Sequence, residues 1–179
     1  GNISMGDCQM RNISGNVHGG FILSLNKKRE CNCIMDILNT GDITKIGLDS
    51  KNNIYYTGLT SNVPLLFRNY VYTPKFATGS AILAKFDSNC NLLWIKEFGD
   101  KNLKAEVHIS SMAIDALDNI ILSGSTYADT VDFGGKIYIK SPLSKKRADI
   151  LVKLNSNGDI QWINASKQTG FSYIYKTII

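Results

Sequence analysis

The side chains best suited to chemistry in this chain are carboxylates and amides grouped in two short polar segments. These are Asp87 to Asn91 (DSNCN) and Asn155 to Asp159 (NSNGD). Their spacing matches the first half of a D-x-[DN]-x-[DN] calcium loop, but both segments lack the following Gly and the distal bidentate Glu. Because Asn, Asp and Ser also favour hydrogen-bonded turns, we expect structural turns here and no metal site.

The cysteines are the second chemically interesting group: Cys8, Cys31, Cys33 and Cys90. Cys31 and Cys33 do not have the C-x-x-C spacing of a zinc knuckle or redox motif, and no second close pair accompanies them. On a strand these two residues point to the same face. We expect buried free thiols, and a disulfide of Cys8 with Cys31 or Cys33 is the alternative if the protein is secreted.

The sequence shows no recognisable catalytic motif. It contains no G-x-S-x-G, H-E-x-x-H, P-loop or Rossmann fingerprint. Of the two histidines, His18 lies in a glycine-flanked segment, and His108 lies where a strand should start and should satisfy a backbone group. We therefore predict no catalytic residue, no metal and no cofactor.

Internal repeats organise the chain. Residues 81–98 (AILAKFDSNCNLLWIKEF) return as 149–165 (DILVKLNSNGDIQWINA), and a diverged copy occupies 21–37. A second unit at 46–60 returns at 113–126, with Asp49 and Asp115 66 residues apart. A period of 60-odd residues is typical of a solenoid, propeller or array.

Each unit predicts two strands joined by a tight turn. We name the strands a, b, c and d and expect a–b pairs at 20–38, 80–98 and 147–166, and c–d pairs at 44–61 and 108–127. Asn157-Gly158 predicts a type I′ hairpin turn. The insertions between d and a hold apolar pieces at 65–67, 70–72 and 136–139, which should form an extra strand or hairpin.

These motifs resemble the seven-bladed beta-propeller family of bacterial repeats. The resemblance covers most of residues 20–166 and includes the a–b pattern, the Asn-Ile-x-x-x-Gly-x-Thr strand and the insertion Val131 to Gly135. It implies an all-β fold with four-stranded blades and a secreted or surface location. It implies no active site, because such folds host many functions.

We therefore predict an all-β, β-propeller-like array of about three four-stranded antiparallel blades, closed by strand exchange between the two termini or between two chains. One domain should span 1–179, with repeats at about 20–61, 80–127 and 147–179 plus 1–8. The end at 172–179 resembles strand c and the start at 2–6 resembles strand d. Propellers typically have four to eight blades, so two chains could pair head to tail into a six-bladed ring, or the chain could be part of a longer propeller.

Composition places the chain among ordinary globular proteins. Hydrophobic residues make up 44% and the net charge is +5. Two basic clusters, at 27–29 and 145–147, favour solvated loop tips over a nucleic-acid or membrane patch. No apolar run is long enough for a transmembrane helix and the amino end does not resemble a signal peptide, so the compartment stays open.

The repeats sort structural from functional candidates. Recurring residues should serve the blades: Asp49 and Asp115 as turn formers, Trp94 and Trp162 as core residues between blades. Unrepeated aromatic and charged residues of the insertions at 61–79 and 127–147 are the candidate binding contacts, since such residues dominate interfaces. They are Arg68, Tyr70, Tyr72, Tyr127, Asp129, Asp132 and Tyr138.

The function predicted from these patterns is a non-enzymatic binding or scaffold protein. Its partner would be a protein, a glycan or a second copy of itself, with no nucleic acid and no membrane span. One alternative is a propeller hydrolase or lyase with a site at the central channel. Another is a glycan-binding lectin, for which Trp94 and Trp162 would supply the aromatic pockets between blades.

Overall fold

The computed structural model describes residues 4–9, 19–40, 43–60, 62–76, 79–100, 102, 105–135, 138–140 and 147–166. Every regular element in this part of the chain is a β-strand, which confirms the all-β prediction. The strands are β1 (Ser4–Met5), β2 (Cys8–Gln9), β3 (Gly19–Leu25), β4 (Cys31–Leu38), β5 (Ile43–Leu48), β6 (Ile54–Leu59), β7 (Leu65–Phe67), β8 (Tyr70–Tyr72), β9 (Ala81–Phe86), β10 (Leu92–Asp100), β11 (Val107–Ile114), β12 (Ile120–Thr126), β13 (Thr130–Phe133), β14 (Tyr138–Lys140), β15 (Ala148–Leu154) and β16 (Ile160–Ala165).

The strands form three large antiparallel sheets. Sheet I has the order β3-β4-β7-β8, sheet II the order β5-β6-β9-β10-β13-β14, and sheet III the order β11-β12-β15-β16. A separate two-stranded sheet contains β1 and β2. None of the sheets formed by the described residues closes on itself. The same residues contain no helical segment that could serve as a transmembrane span.

The two insertions form hairpins, as the apolar pieces within them predict. In each case the hairpin extends the sheet that precedes it: β7 pairs with β4 in sheet I, and β13 pairs with β10 in sheet II. The hairpins therefore lie at equivalent edges, next to the b strand. This arrangement links successive sheets, because the chain leaves a d strand, adds a hairpin to the sheet before it and then returns to an a strand.

The sheets cross the boundaries of the sequence repeats. In sheets II and III the c–d hairpin pairs with the a–b hairpin that follows it, through β6 with β9 and β12 with β15. Sheet I contains an a–b pair and an insertion hairpin. Among the described residues no strand pairs with the outer edge of β3.

The amino end does not complete a sheet in the way the sequence suggests. We expected residues 2–6 to act as strand d, but Ser4 and Met5 pair with Gln9 and Cys8 in the small hairpin. A short turn at Gly6 favours this local pairing, because glycine adopts the positive φ of 56° without strain. The expected strand c at 172–179 lies outside the described residues.

Successive side chains along each strand of sheet II point to opposite faces of the sheet. Sheet II therefore contributes to two hydrophobic cores. Tyr55 and Leu83 pack between sheets II and III, whereas Tyr56, Ile82 and Phe86 pack between sheets I and II. The central strand β9 is buried at every position. The central part of sheet II is thus covered on both faces by its neighbours.

One turn design closes all five main hairpins. The first residue is Asp or Asn, and its side-chain oxygen accepts backbone N–H bonds from the third and fifth residues, as in Asn155 with Asn157 (3.0 Å) and Asp159 (2.9 Å). The fourth residue has a positive φ. These fourth residues are Arg29, Asn52, Cys90, Asp118 and Gly158. The predicted turns are confirmed, and the five turns are more alike in structure than in sequence.

The expected type I′ turn at Asn157-Gly158 is wrong. That turn needs positive φ at both central residues, but only Gly158, with φ of 79°, has one. The hairpin uses a type I turn followed by a left-handed residue, with a register shift between Lys153 and Leu154. The side chain of Asn155 favours this form, since it already caps the following N–H groups.

The cysteines form two disulfides, Cys8–Cys31 and Cys33–Cys90, so the expectation of buried free thiols is wrong. The first matches the alternative pairing, and it ties the amino-terminal hairpin to β4. The second joins sheet I to the β9–β10 turn of sheet II, across Cα atoms 6.0 Å apart. This separation is normal for a disulfide. The two cysteines are close together only because sheets I and II pack against each other.

Candidate binding surface

The hairpin β7–β8 is anchored by aromatic packing at its base. The Phe67 ring lies 5.6 Å from that of Phe86 and 6.2 Å from that of Tyr56, measured between centroids. Its two-residue turn is Arg68-Asn69, where Arg68 is exposed at φ of 44° and its N–H donates to the Asp36 carbonyl at 3.3 Å. The buried base of the hairpin therefore holds the charged Arg68 side chain in an exposed position at the tip.

A groove of about 410 Å³ lies between this hairpin and the β9–β10 turn. Buried apolar side chains lie beneath it, and Arg68 and Tyr70 lie at its rim. The accessible lining is more polar than apolar, so polar groups would make most of the contacts with a ligand. The lining residues are Met35, Phe67, Arg68, Asn69, Tyr70, Phe86, Cys90, Asn91 and Leu92.

Tyr72 serves a different purpose from its neighbours on the hairpin. Its hydroxyl donates to the buried Glu97 carboxylate at 2.8 Å, which also accepts the N–H groups of Lys75 (2.8 Å) and Phe76 (3.3 Å) and the Ser80 hydroxyl. Burial, then the bond to Glu97, raises the pKa of Tyr72 above its usual range. Tyr72 thus fixes the hairpin against sheet II and its hydroxyl is already used.

The second hairpin carries the other predicted contacts. Tyr127 and Asp129 are exposed beside it, and the Asp132 carboxylate accepts the N–H of Gly135 within the β13–β14 turn. Tyr138 pairs with Asp132 in the strand register; its side chain lies outside the described part of the structure.

The seven predicted contacts therefore fall into two groups. Arg68 and Tyr70 meet at one groove, and Asp132 and Tyr138 are paired on the other hairpin. The sequence did not indicate Phe86, Cys90 or Leu92 as groove residues, because each belongs to a repeat unit that we assigned to the blade. Only the packing of sheet I against sheet II brings them beside Arg68.

A buried ion pair, which sequence reasoning also missed, lies at the contact between sheets II and III. Lys85 Nζ is 3.1 Å from Asp49 Oδ2, donates to the Ser156 carbonyl at 3.2 Å and lies 4.9 Å from the centroid of the Tyr55 ring. The Tyr55 hydroxyl donates to Asp49 at 3.3 Å. Burial, then the charge of Asp49, raises the pKa of Tyr55.

Trp94 completes that contact. Its ring meets Tyr55 edge-on at 5.9 Å between centroids, and a Cβ added to Gly158 would lie 3.2 Å from the Trp94 ring. The β15–β16 turn of sheet III therefore packs against the Trp94 ring. This confirms the predicted core role for Trp94.

Sheet III repeats the same residues, and no sheet formed by the described residues covers them. Lys153 Nζ is 3.1 Å from Asp115 Oδ2, and Trp162 pairs with Lys153 in the strand register. Trp162 is exposed, so the predicted core role is wrong for this residue. The recurrence of Asp and Lys in both units was the signal that could have revealed the pair.

Hydrogen bonds occupy the carboxylates of the possible calcium loop. Both oxygens of Asp87 accept bonds from Asn91, whose N–H and side-chain amide lie at 2.8 and 2.9 Å. Burial raises the pKa of Asp87, but these bonds outweigh it and the net pKa is lowered. Among the described residues no cluster of three potential metal ligands occurs. His108 contacts the Glu106 carboxylate at 2.8 Å rather than a backbone group.

Comparisons with protein-family models and with curated proteins assign no relatives. No protein-family model matches the chain. A search of curated proteins finds no significant match.

Proposed function

We propose that this protein is a non-enzymatic, β-propeller-type binding protein that captures a peptide segment of a partner protein in the groove beside hairpin β7–β8. Stacked antiparallel sheets with repeated turns support the propeller-type architecture. The observation that carries the binding role is the groove itself, with buried apolar side chains beneath it and exposed Arg68 and Tyr70.

The chemistry of the groove favours a peptide with one acidic and one apolar side chain. The exposed Arg68 guanidinium is able to bind a carboxylate with two parallel N–H bonds, and Leu92 and the edges of Phe67 and Phe86 supply the apolar part of the lining. Among the described strands, β8 lies at the edge of sheet I and its Val71 side chain is exposed. An edge strand can pair with an extended peptide through backbone hydrogen bonds. A glycan has no peptide backbone and cannot form such a pairing.

The two disulfides support an oxidising compartment for this binding protein. Disulfides persist in secreted and surface proteins and are rare in the cytosol. Cys33–Cys90 lies beneath the groove, since Cys90 lines it. The covalent link would keep both walls of the groove in place outside the cell.

A random peptide display library and a glycan array, both probed with the oxidised protein, test this function. We expect enriched peptides that share an acidic residue next to apolar ones, and Arg68→Ala should weaken their binding about tenfold, as for a charged hydrogen bond. Tyr70→Ser should weaken it as well. The matched control is Tyr127→Ser, an exposed tyrosine on the other insertion.

Two results would contradict the proposal. One is enrichment of glycans alone. The other is peptide binding that survives both groove substitutions and is lost with Tyr127→Ser.

A further inference from the structure

The contact between sheets II and III defines what each sheet presents to its neighbour. Sheet II offers the face with Tyr55, Lys85 and Trp94, and sheet III answers with the apolar side of β15 and with its β15–β16 turn. We call the first kind of surface a tail face and the second a head face. Both kinds recur at the free ends of the stack.

The tail face of sheet III has no neighbour among the described residues. It comprises Ile121, Leu151, Lys153 and Trp162, which the strand registers place on the side opposite to the core with sheet II. Trp162 is 38% exposed, although its counterpart Trp94 is packed against the core. This surface therefore repeats the tail face of sheet II without its cover.

The head face of sheet I likewise has no sheet packed on it among the described residues. Phe21 and Leu25 on β3 are 46% and 43% exposed. Their counterparts in sheet III, Ile150 and Leu154, are fully buried against sheet II. Ile34 on β4 is buried, and the disulfide Cys8–Cys31 holds the amino-terminal hairpin to the same strand.

The turn that would reach the tail face carries complementary chemistry. At the fourth position of this turn, the Cys90 side chain bonds to Cys33, and a Cβ at Gly158 would touch Trp94. In sheet I the fourth residue is the exposed Arg29, with φ of 65°. Its side chain would therefore lie against the counterpart of Trp94, which is Trp162. A guanidinium over an indole is a favourable cation–π contact.

We propose that the tail face of sheet III binds the head face of sheet I in a second copy of this protein, with Arg29 of one copy on Trp162 of the other. The same chain supplies both surfaces. Three sheets are fewer than a closed propeller usually has, and a second copy would supply the partner surface that each free face lacks. Two copies joined head to tail present six sheets, which is within the usual range.

The proposed contact would use residues equivalent to those of the contact between sheets II and III. Lys153 would donate to the Lys27 carbonyl of the partner copy, as Lys85 does to the Ser156 carbonyl at 3.2 Å. The proposal is independent of the peptide groove, because neither surface includes the residues that line it. The failure of either proposal leaves the other standing.

Mass in solution tests the contact, by light scattering behind a sizing column across a range of protein concentrations. We expect the wild type to reach twice 19.8 kDa. Arg29→Asp should weaken association about tenfold or more, because it removes the cation and adds a carboxylate beside the indole. Asp fits this turn position, since Asp118 occupies its counterpart with φ of 60°.

Arg68→Asp is the matched control. It changes a second exposed arginine with positive φ, which lies on neither face. The wild-type mass should persist in this variant, although peptide binding in the groove should fall.

A mixing experiment separates a head-to-tail contact from any symmetric one. Arg29→Asp damages only the head face and Trp162→Ser only the tail face, so each variant alone should be a monomer at a concentration just sufficient for the wild type to dimerise. Mixed together, the two retain one intact pair of faces and should form a 1:1 dimer. A wild type that stays at 19.8 kDa, or a mixture that stays monomeric, would overturn the proposal. So would glycan binding that is lost with Trp162→Ser while the mass is unchanged.

Discussion

The two contacts that sheet II makes with its neighbours use the same backbone positions and different chemistry. Against sheet I, the contact includes the disulfide Cys33–Cys90. Against sheet III, the corresponding pair is Trp94 with Gly158, and an ion pair between Lys85 and Asp49 lies beside it. A repeat backbone thus accepts either a covalent or a packed connection at one point.

The two contacts also differ in extent. Met112 and Ile114 of β11 pack against the core between sheets II and III. Their counterparts Ile46 and Leu48 on β5 are exposed, because sheet I has no c–d hairpin to cover them among the described residues. The shorter contact is the one that carries a disulfide. The comparison teaches that a covalent link can offset missing strands.

The largest expected effect comes from removing this link. Cys33→Ala with Cys90→Gly opens a loop that joins residues 57 apart, which should lower the free energy of unfolding by about 4 kcal/mol. Gly is tolerated at this position because Gly158 occupies its counterpart with positive φ. Urea unfolding followed by circular dichroism measures the change.

The control for that variant is Cys8→Ser with Cys31→Ser, which frees only the amino-terminal hairpin. The groove should then retain peptide binding, whereas the Cys33/Cys90 variant should lose it. Equal stability of the Cys33/Cys90 variant and the wild type under oxidising conditions would show that the disulfide does not support the shorter contact.

Lys85→Met should weaken the contact between sheets II and III. It leaves Asp49 charged and buried next to Tyr55, so we expect a loss of about 3 kcal/mol. Lys153→Met removes the equivalent cation from sheet III, where both partners are better solvated, and should cost much less because exposed ion pairs contribute little. Thermal unfolding of the two variants compares them directly. Equal losses would mean that the neighbouring sheet does not bury the Lys85–Asp49 pair.

Substitutions at the fourth turn position should have opposite signs in different hairpins. Gly158→Ala forces a side chain into the left-handed region at φ of 79° and towards Trp94, which should cost about 1–2 kcal/mol. Arg29→Gly relieves the same strain in sheet I and should be neutral or stabilising by up to about 1 kcal/mol. Chemical denaturation at a monomeric protein concentration measures both. A destabilised Arg29→Gly would show that Arg29 makes stabilising contacts within its own copy.

The smallest effect is a pH dependence at the ion pair. Burial raises the pKa of Asp49, but hydrogen bonds from Asn53 and Lys85 and the charge of Lys85 outweigh it, so the net pKa is lowered. Its contribution to stability is therefore complete above the unfolded pKa of about 4 and is lost as the pH falls through the folded value. Asp49→Asn should flatten the fall in unfolding free energy below about pH 4. Parallel curves for wild type and variant would contradict this assignment.

The sequence predicted local structure well, because strands and turns depend on residues close together. Apolar runs located the strands, and Asp or Asn at the start of each turn predicted the five hairpins. It also placed Arg68 and Tyr70 on an exposed hairpin, because charged and aromatic residues in an insertion have no repeat role. The turn type failed only where Asn157-Gly158 suggested a type I′ turn and Asn155 favoured a capped type I turn.

Contacts between sheets could not be predicted in the same way. The pairing of Cys33 with Cys90, the burial of Trp94 and the exposure of Trp162 all depend on which sheet covers which face. Two tryptophans at matching repeat positions have identical local signals, so only the neighbour of each decides its burial.

By itself, the sequence determined the all-β class, the repeated hairpins and the residues at the tips of the insertions, because period-two alternation and turn propensity act over a few residues. Tertiary structure decided that each c–d hairpin joins the following a–b hairpin, that two disulfides form, and that Phe86 and Cys90 meet Arg68 at a groove. These features join residues distant in the chain, and the burial of apolar faces between stacked sheets brings them together.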